Sequence, residues 1–312
     1  VSIDKEIKSA NFPVRNSFLF VAALLQIVWG IVPSASKLVI SEIPVELYIA
    51  LRWTISGLIF MAVLMMTEGA NAIFKKSSFR VGALGVLGYG VGSLGTLYGL
   101  KMGGVVNFAL ISSISPIFTS LISIIFLSEK PARKFWFALP LSIIGALLIV
   151  SGKHEISSWS IALTSFLLIA SAYAFEAVVF VFSKKLYQDH SRVAYLAIAQ
   201  FSAAIAMWIA QLFFFHQFNQ LSLLDSNGWA SAIFVSIVAC VLCYYVLHWL
   251  ILHVPGHKLA LFEGLHGISA TCFGILFFQE AYTHLMILGG IGILAGLVIG
   301  CWPENSPEVH LN

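Results

Sequence analysis

Apolar and polar positions along this chain do not alternate; they separate into long blocks. Apolar runs cover about Phe18–Ile40, Leu47–Met66, Val81–Leu100, Val105–Leu127, Phe135–Val150, Ile161–Phe182, Ala194–Phe215, Trp229–Leu252, Leu259–Phe278 and Leu285–Trp302. One bilayer-crossing helix needs roughly 20 apolar residues, so the pattern predicts ten transmembrane helices. The breaks carry charge or turn residues, as in Lys75-Lys76-Ser77-Ser78, Glu129-Lys130-Pro131 and Asp225-Ser226-Asn227-Gly228. The softest break is Lys101-Met102-Gly103-Gly104, which also fits a bend within one long hairpin. The first run leads into long helical sequence with no small-residue cleavage site, so no cleavable signal is expected.

Composition strengthens this picture. The 312 residues are 59% apolar and 10% charged, against roughly 45–50% and 25% in a soluble domain. A disordered chain, a nucleic-acid binder and an ordinary cytosolic enzyme are excluded. No Ser-His-Asp, metalloprotease or deaminase arrangement can be assembled, and no glycine run has the setting of a phosphate loop. The expectation is therefore no enzyme and no cofactor. The four cysteines, Cys240, Cys243, Cys272 and Cys301, all fall inside apolar runs and read as packing residues. His253 and His257 flank a helix boundary without a third ligand, so no metal is expected.

Charge sets the orientation. With the N-terminus inside, thirteen of the 17 Lys and Arg fall on inner segments and two, Lys101 and Lys153, on outer ones. Lys37 and Arg52 lie within spans or at their ends. This asymmetry predicts an inner-membrane, multi-pass protein with both termini cytoplasmic.

A shift of about 147 residues places Ser36-Lys37 on Ser183-Lys184 and Tyr48 on Tyr195. A shift of about 151 places Ala109-Leu110 on Ala260-Leu261 and Glu129 on Glu280. Five spans per repeat is an odd number, so the halves must insert with opposite topology, as in alternating-access transporters. The expected fold class is an all-α polytopic membrane protein, ten helices in two inverted five-helix repeats. Its segments are a cytoplasmic 1–17, repeats over 18–152 and 153–302, and a cytoplasmic tail 303–312.

The first half carries Trp29-Gly30 and Lys37 in its first span, then Pro44, Arg52, and Ser113-Ile114-Ser115-Pro116-Ile117-Phe118 closed by Ser128-Glu129. In these residues the chain resembles the drug/metabolite transporter superfamily and, within it, the EamA family. The second half departs, with His266-Gly267 where the family often repeats a proline and Glu263 where the first half has Ser112. The resemblance implies a permease, usually an exporter of amino acids or related metabolites. It also implies that the fifth and tenth helices are peripheral while the others surround a cavity.

An ionisable side chain deep in a span is costly and points to a cavity or a partner. Glu176 and Glu263 are such residues, and each is a candidate for a substrate ammonium, a proton, or a structural pair. Lys37 is a candidate for a substrate carboxylate or a snorkelling interface residue. Arg52 reads as structural, paired with Glu42 or Glu46 or sitting at the interface. His266 comes three positions after Glu263 and shares its helix face; His248 reads more as packing. Ser112, Ser113 and Ser115 with Pro116 mark a kink or a polar lining. Asn107 and Lys258 start equivalent helices, whose dipoles would suit an anionic group. Trp29, Tyr98, Tyr173, Tyr244, Tyr245 and Trp249 are candidate cavity aromatics, with Tyr245 and Trp249 on one face with Leu252. Gly88-x3-Gly92, Gly95-x3-Gly99 and Gly292-x3-Gly296-x3-Gly300 allow close helix approach. The last of these suggests an intramolecular seam or a homodimer contact through the tenth helix.

The resulting expectation is an exporter of an amino acid or related zwitterion, proton-coupled, working by alternating access. Its partners are a small-molecule substrate and the bilayer. Rival expectations are a carrier of lipophilic cations, drugs or a nucleoside-linked metabolite, and a non-transporting membrane partner protein.

Overall fold

The computed structural model describes residues 16–112, 115–127, 131, 133–151, 159–278 and 283–301. Every regular element among them is helical. Six helices are long and apolar enough to cross a membrane: Asn16–Glu42, Val45–Thr67, Ser78–Val105, Leu163–Leu186, Arg192–Phe215 and Ser226–Leu250. Shorter apolar helices lie at Phe118–Leu127, Phe135–Gly145 and Ile287–Gly300. The Glu129/Glu280 match, Ser113, Lys153 and both chain ends lie outside the described residues.

The first apolar run is two helices, α1 (Asn16–Trp29) and α2 (Val32–Glu42). Pro33 stands at the start of α2, where its fixed φ and missing N–H do no harm. Gly30 marks the join, because a Cβ there would lie 2.4 Å from the Ser269 side chain. Pro44, extended at ψ 147°, caps α3 (Val45–Thr67). Next come α4 (Ser78–Gly85), a π-helical segment Val86–Gly92 and α5 (Ser93–Ser112). The expected break at 101–104 is located at Gly104, whose φ of 75° and ψ of 175° interrupt α5; a residue with a Cβ avoids that backbone region.

The chain continues through α6 (Ser115–Leu127), α7 (Phe135–Ser151) and α8 (Trp159–Leu186). Helix α9 (Arg192–Ala210) is capped by the Ser191 hydroxyl, which accepts from the Ala194 N–H at 3.0 Å. Helix α10 (Ser226–Phe234) is capped by Asp225, which accepts from the Gly228 N–H at 2.7 Å. It runs into a π-helical segment, Val235–Cys243, the third after Val86–Gly92 and the short Gln211–Phe215 that extends α9, and then α11 (Tyr244–Leu250). Helices α12 (Gly256–Phe278) and α13 (His284–Cys301) complete the bundle.

The main core lies where α3 packs on α9, burying Tyr48, Trp53 and Tyr195 to 1% exposure or less. Glycines allow the tightest approaches. The Gly88, Gly95 and Gly99 face of the third span lies on α8, meeting Val179, Ala172 and Ile169. On α13, Gly292 and Gly296 meet Gly145 and Ser142 of α7, so that glycine seam is intramolecular. Large apolar side chains such as Phe79, Phe213, Phe214 and Leu276 point outward, as hydrocarbon-facing positions require.

At one end of the bundle the α3–α4 and α8–α9 connections are tied together. The Lys75 ammonium donates to the Asp189 carbonyl, Ser77 Oγ and His190 Nε2 lie 2.9 Å apart, and Ser191 donates to Glu68 at 2.5 Å. Burial, then the nearby Lys75 charge, hold the His190 imidazole below the usual histidine range, which centres near 6.5. As pH falls, the unfolded ring therefore binds a proton before the folded one does. The tether's contribution is complete above about pH 6.5 and is lost as pH falls below it. The thermal stability of the detergent-solubilised protein should fall as pH is lowered from about pH 7 to pH 5, and His190→Gln should flatten that dependence. An unchanged slope in His190→Gln would show that other groups control it.

Candidate substrate cavity

Seven apolar helical stretches each turn side chains toward a common space of about 190 Å³. The stripes keep the i, i+3, i+4, i+7 rhythm of a single helix face: Ala22, Leu25, Gln26 and Trp29 on α1; Tyr173, Glu176, Ala177 and Phe180 on α8; Leu259, Phe262, Glu263 and His266 on α12. Arg52 and Trp53 enter from α3, Tyr89 from the π-helical segment Val86–Gly92, and Cys240, Tyr244, Leu247 and His248 from the π-helical segment Val235–Cys243 and α11. Ser115 and Thr119, one turn apart on α6, close the wall beside Glu263.

Three ionisable side chains of opposite sign share this space. The Arg52 side chain, 8% exposed, donates from Nη2 to Ser93 Oγ at 2.5 Å. Its guanidinium lies 4.7 Å from the Trp53 ring centre and 5.7 Å from that of Tyr48. Its Nε has no hydrogen-bond partner among the described residues. Trp53 Nε1 also donates to Ser93 Oγ, at 3.3 Å, so this one hydroxyl anchors both side chains. Glu176 lies within electrostatic reach of both Arg52 and Glu263. Glu263 accepts from Ser115 Oγ at 2.5 Å and is also hydrogen-bonded to Thr119. Glu263 is thus held by two hydroxyls, while among the described residues no hydrogen bond holds Glu176. The buried His266 Nε2 also lacks a partner there, its ring set edge-on to Phe108 with centres 6.1 Å apart.

The remaining wall is aromatic. Tyr244 meets Trp29, Trp53 and Tyr89 at 5.3, 5.8 and 5.1 Å with near-perpendicular planes. Edge-to-face contacts of this kind fix ring orientation, so this wall is rigid. Beyond it, His248 bridges two phenols: its Nε2 lies 3.1 Å from Tyr89 Oη, and its Nδ1 contacts Tyr187 Oη. No group of three or more His, Cys, Asp or Glu able to hold a metal occurs among the described residues.

Of the sequence-derived candidates, the fold brings Glu263, Glu176, His266, Trp29 and Ser115 to the cavity, together with Tyr173, Tyr244 and His248. Lys37 is half-buried on α2 and does not line it, although its neighbour Ser36 does. Ser112 is buried off the wall, hydrogen-bonded to Tyr173. Tyr98 donates to Glu46 and faces a separate polar pocket with Lys101. Tyr245 lies beneath the Arg192 guanidinium at 5.0 Å, and Trp249 packs on Phe18 and His253. The expected pairing of Arg52 with Glu42 or Glu46 is replaced by the Ser93 contact. Glu42 instead accepts from the Asp225 N–H at 3.0 Å, and Glu46 is held by Tyr98. Gln26, Trp53, Tyr89, Phe108 and Thr119 also line the cavity, though no sequence motif marks them; their stripe spacing is the available signal. Cys240 lines it as a buried free thiol.

A multi-pass helical bundle around an aromatic-walled cavity that holds a few charged side chains defines a membrane transporter rather than an enzyme. The chain belongs to the EamA-like transporter family, whose sequence pattern matches it twice, over residues 16–151 and 163–300. It is similar to the uncharacterized transporter YetK of Bacillus subtilis (strain 168), with 23% identity over 306 residues, covering 94% of this chain and 89% of that one. An uncharacterized transporter of Archaeoglobus fulgidus is 26% identical over 198 residues, or 63% of this chain and 66% of that one. A crystal structure with 14% identity superposes with a TM-score of 0.74, covering 91% of this chain and 96% of its own; this likeness concerns the fold alone.

Proposed function

We propose that this transporter exports a small zwitterion, an amino acid or close relative, with its carboxylate on Arg52 and its ammonium on Glu176. The observation that carries the reading is the placement of one guanidinium and two carboxylates on the wall of a single cavity. Charges inside a membrane protein need partners, and a zwitterion supplies both signs at once. Arg52 takes the role expected of Lys37. Its free Nε and planar fork suit a carboxylate. The 190 Å³ space is smaller than the ~300–1,000 Å³ pockets that bury drug-sized ligands, and a lone lipophilic cation would meet Arg52 unfavourably. Both points weigh against the drug and nucleoside-linked alternatives.

Glu263, held by Ser115 and Thr119, is the proposed proton site. Outward movement is the direction that the family resemblance implies. The two halves, residues 18–152 and 153–302, act as inverted five-helix repeats in the inner membrane with both termini cytoplasmic. Two features support this architecture. Several of the most extensive helix pairings are kept when each span is exchanged with the one five places on: α1 with α12 answers α8 with α6, while α3–α9 and α7–α13 map onto themselves. Two of the three π-helical segments among the described residues, Val86–Gly92 and Val235–Cys243, fall in the third and eighth spans, which correspond. Rocking about such a pseudo-twofold gives alternating access. A homodimer through the tenth helix would use the outward Leu288, Ile291, Leu294 and Val298 face of α13, because its glycines are engaged with α7.

The test is counterflow of a labelled amino-acid pool in proteoliposomes, with quaternary ammonium ions as competitors. Saturable counterflow that Glu176→Gln lowers at least about tenfold, and that amino acids alone compete, is expected. Competition by the quaternary ions alone would overturn the substrate class. No counterflow from correctly inserted protein, with amino acids or with the cation panel, would overturn the transport reading.

A further inference from the structure

The cavity has a polar exit that the substrate reading leaves unused. Tyr89 stands on the cavity wall, 3% exposed, and faces His248 Nε2 at 3.1 Å. His248 is 2% exposed, and its other nitrogen contacts the Tyr187 hydroxyl. Tyr187 comes directly after α8, whose last turn carries Lys184 and Lys185, and is half-buried beside the exposed Gln188 and Asp189. Three spans therefore contribute one continuous chain of hydrogen bonds from the cavity to Tyr187, next to exposed residues at that end of the bundle. Both ring nitrogens meet hydroxyls. A neutral imidazole donates from one nitrogen and accepts at the other, and a hydroxyl can take either role, so the chain can be fully satisfied in either direction.

We infer that Tyr89, His248 and Tyr187 form a proton relay between the Glu176 side of the cavity and the aqueous face that carries Lys184 and Lys185. The inference rests on the proton-coupled reading above. In one passage the proton of Glu263 crosses the cavity, past Glu176, to Tyr89 through cavity water. The Tyr89 O–H proton moves to Nε2, the Nδ1–H proton moves to Tyr187, and the Tyr187 O–H proton moves to bulk water. One proton leaves Glu263 and one reaches solvent. The relay groups are unchanged in charge, His248 having exchanged tautomers and the two hydroxyls having turned round. The groups that face His248 are the phenols of Tyr89, Tyr187, Tyr195 and Tyr244, together with the Arg192 guanidinium. None of these is a carboxylate, so no fixed negative charge traps the proton midway. Histidine suits such shuttling because its two nitrogens exchange roles without a large change in geometry.

The experiment uses proteoliposomes containing a pH-sensitive dye. Substrate-driven proton movement and labelled substrate counterflow are measured on the same preparation. Counterflow exchanges substrate for substrate and needs no net proton passage. Tyr187→Phe keeps the ring packing on Tyr195 and removes only the last link. It should lower proton movement about tenfold or more and leave counterflow within about twofold. His248→Gln, which keeps hydrogen bonds but cannot exchange tautomers, should lower proton movement equally. Undiminished proton movement in both variants would overturn the relay while leaving the coupled transporter intact. An equal fall in both readouts for Tyr187→Phe would show a packing role and also overturn it. A wild type that exchanges substrate but moves no protons would overturn the coupled reading itself.

Discussion

Arg52→Met should abolish saturable transport at physiological substrate concentrations, raising the apparent KM by at least about 100-fold. Breaking one member of a buried charge arrangement costs roughly 3–5 kcal/mol, because the opposite charge is left without compensation. At ~1.4 kcal/mol per tenfold, even the lower figure exceeds two powers of ten. Glu176 is the charge left behind, since Arg52 is the only cationic side chain on the cavity wall among the described residues. Arg52→Lys should fall between, retaining the charge but losing the fork and the packing against Trp53. Lys37→Gln should change KM by less than about threefold, the size of a surface change, since Lys37 lies off the cavity. Counterflow kinetics of the three variants check this together. A severe defect in Lys37→Gln with a mild one in Arg52→Met would reverse the assignment.

Gly85→Ala should lower stability by about 3 kcal/mol, the upper part of the overpacking range. A Cβ at this position would lie 2.1 Å from the Ala199 carbonyl oxygen and 2.5 Å from its Cα. These are backbone atoms of α9 and cannot turn aside as a side chain can. The ordinary gain of about 1 kcal/mol from replacing a helical glycine by alanine is outweighed. Gly290→Ala reverses the balance, because nothing lies within 4 Å of its Cβ position, and it should stabilise by about 1 kcal/mol. Unfolding in detergent, driven by heat or SDS titration, reports both signs. Equal effects of the two substitutions would mean that close approach of α4 and α9 does not control stability.

Several features of the site are visible in the amino-acid order, and the reasons are physical. Glu176 and Glu263 stand out because carboxylates are rare inside apolar runs, and the fold needs somewhere to put them. Arg52 reads as an interface residue because its apolar run begins at Leu47. The helix begins at Val45, just after the Pro44 cap, which sets Arg52 about two turns, or ~10 Å, into α3. Lys37 misleads because the first run looks continuous. In α2 the lining residues are Val32, Pro33 and Ser36, and each further residue turns about 100°, carrying Lys37 off the wall. The Tyr245, Trp249 and Leu252 stripe has the right period on the wrong face; Tyr244, Leu247 and His248 are the lining set. That slip arises at the π-helical segment Val235–Cys243, whose wider turn holds an extra residue and shifts the phase of α11. No hydropathy pattern announces such a turn.

Among the described residues three segments are π-helical, and two of them, Val86–Gly92 and Val235–Cys243, also bear on descent. Relative to an α-helix, a π turn is the trace of one inserted residue, and such turns are rare away from functional sites. Here they begin at Val86 and Val235, 149 residues apart. The two matches to the family begin 147 residues apart, at 16 and 163. One insertion in a half-length ancestor, copied when that ancestor's gene doubled, accounts for both segments more simply than two separate insertions at matching places. The irregular turn is then older than the duplication. An ancestral half-protein, pairing with a second copy of itself, would already have brought two such turns to the walls of a shared cavity.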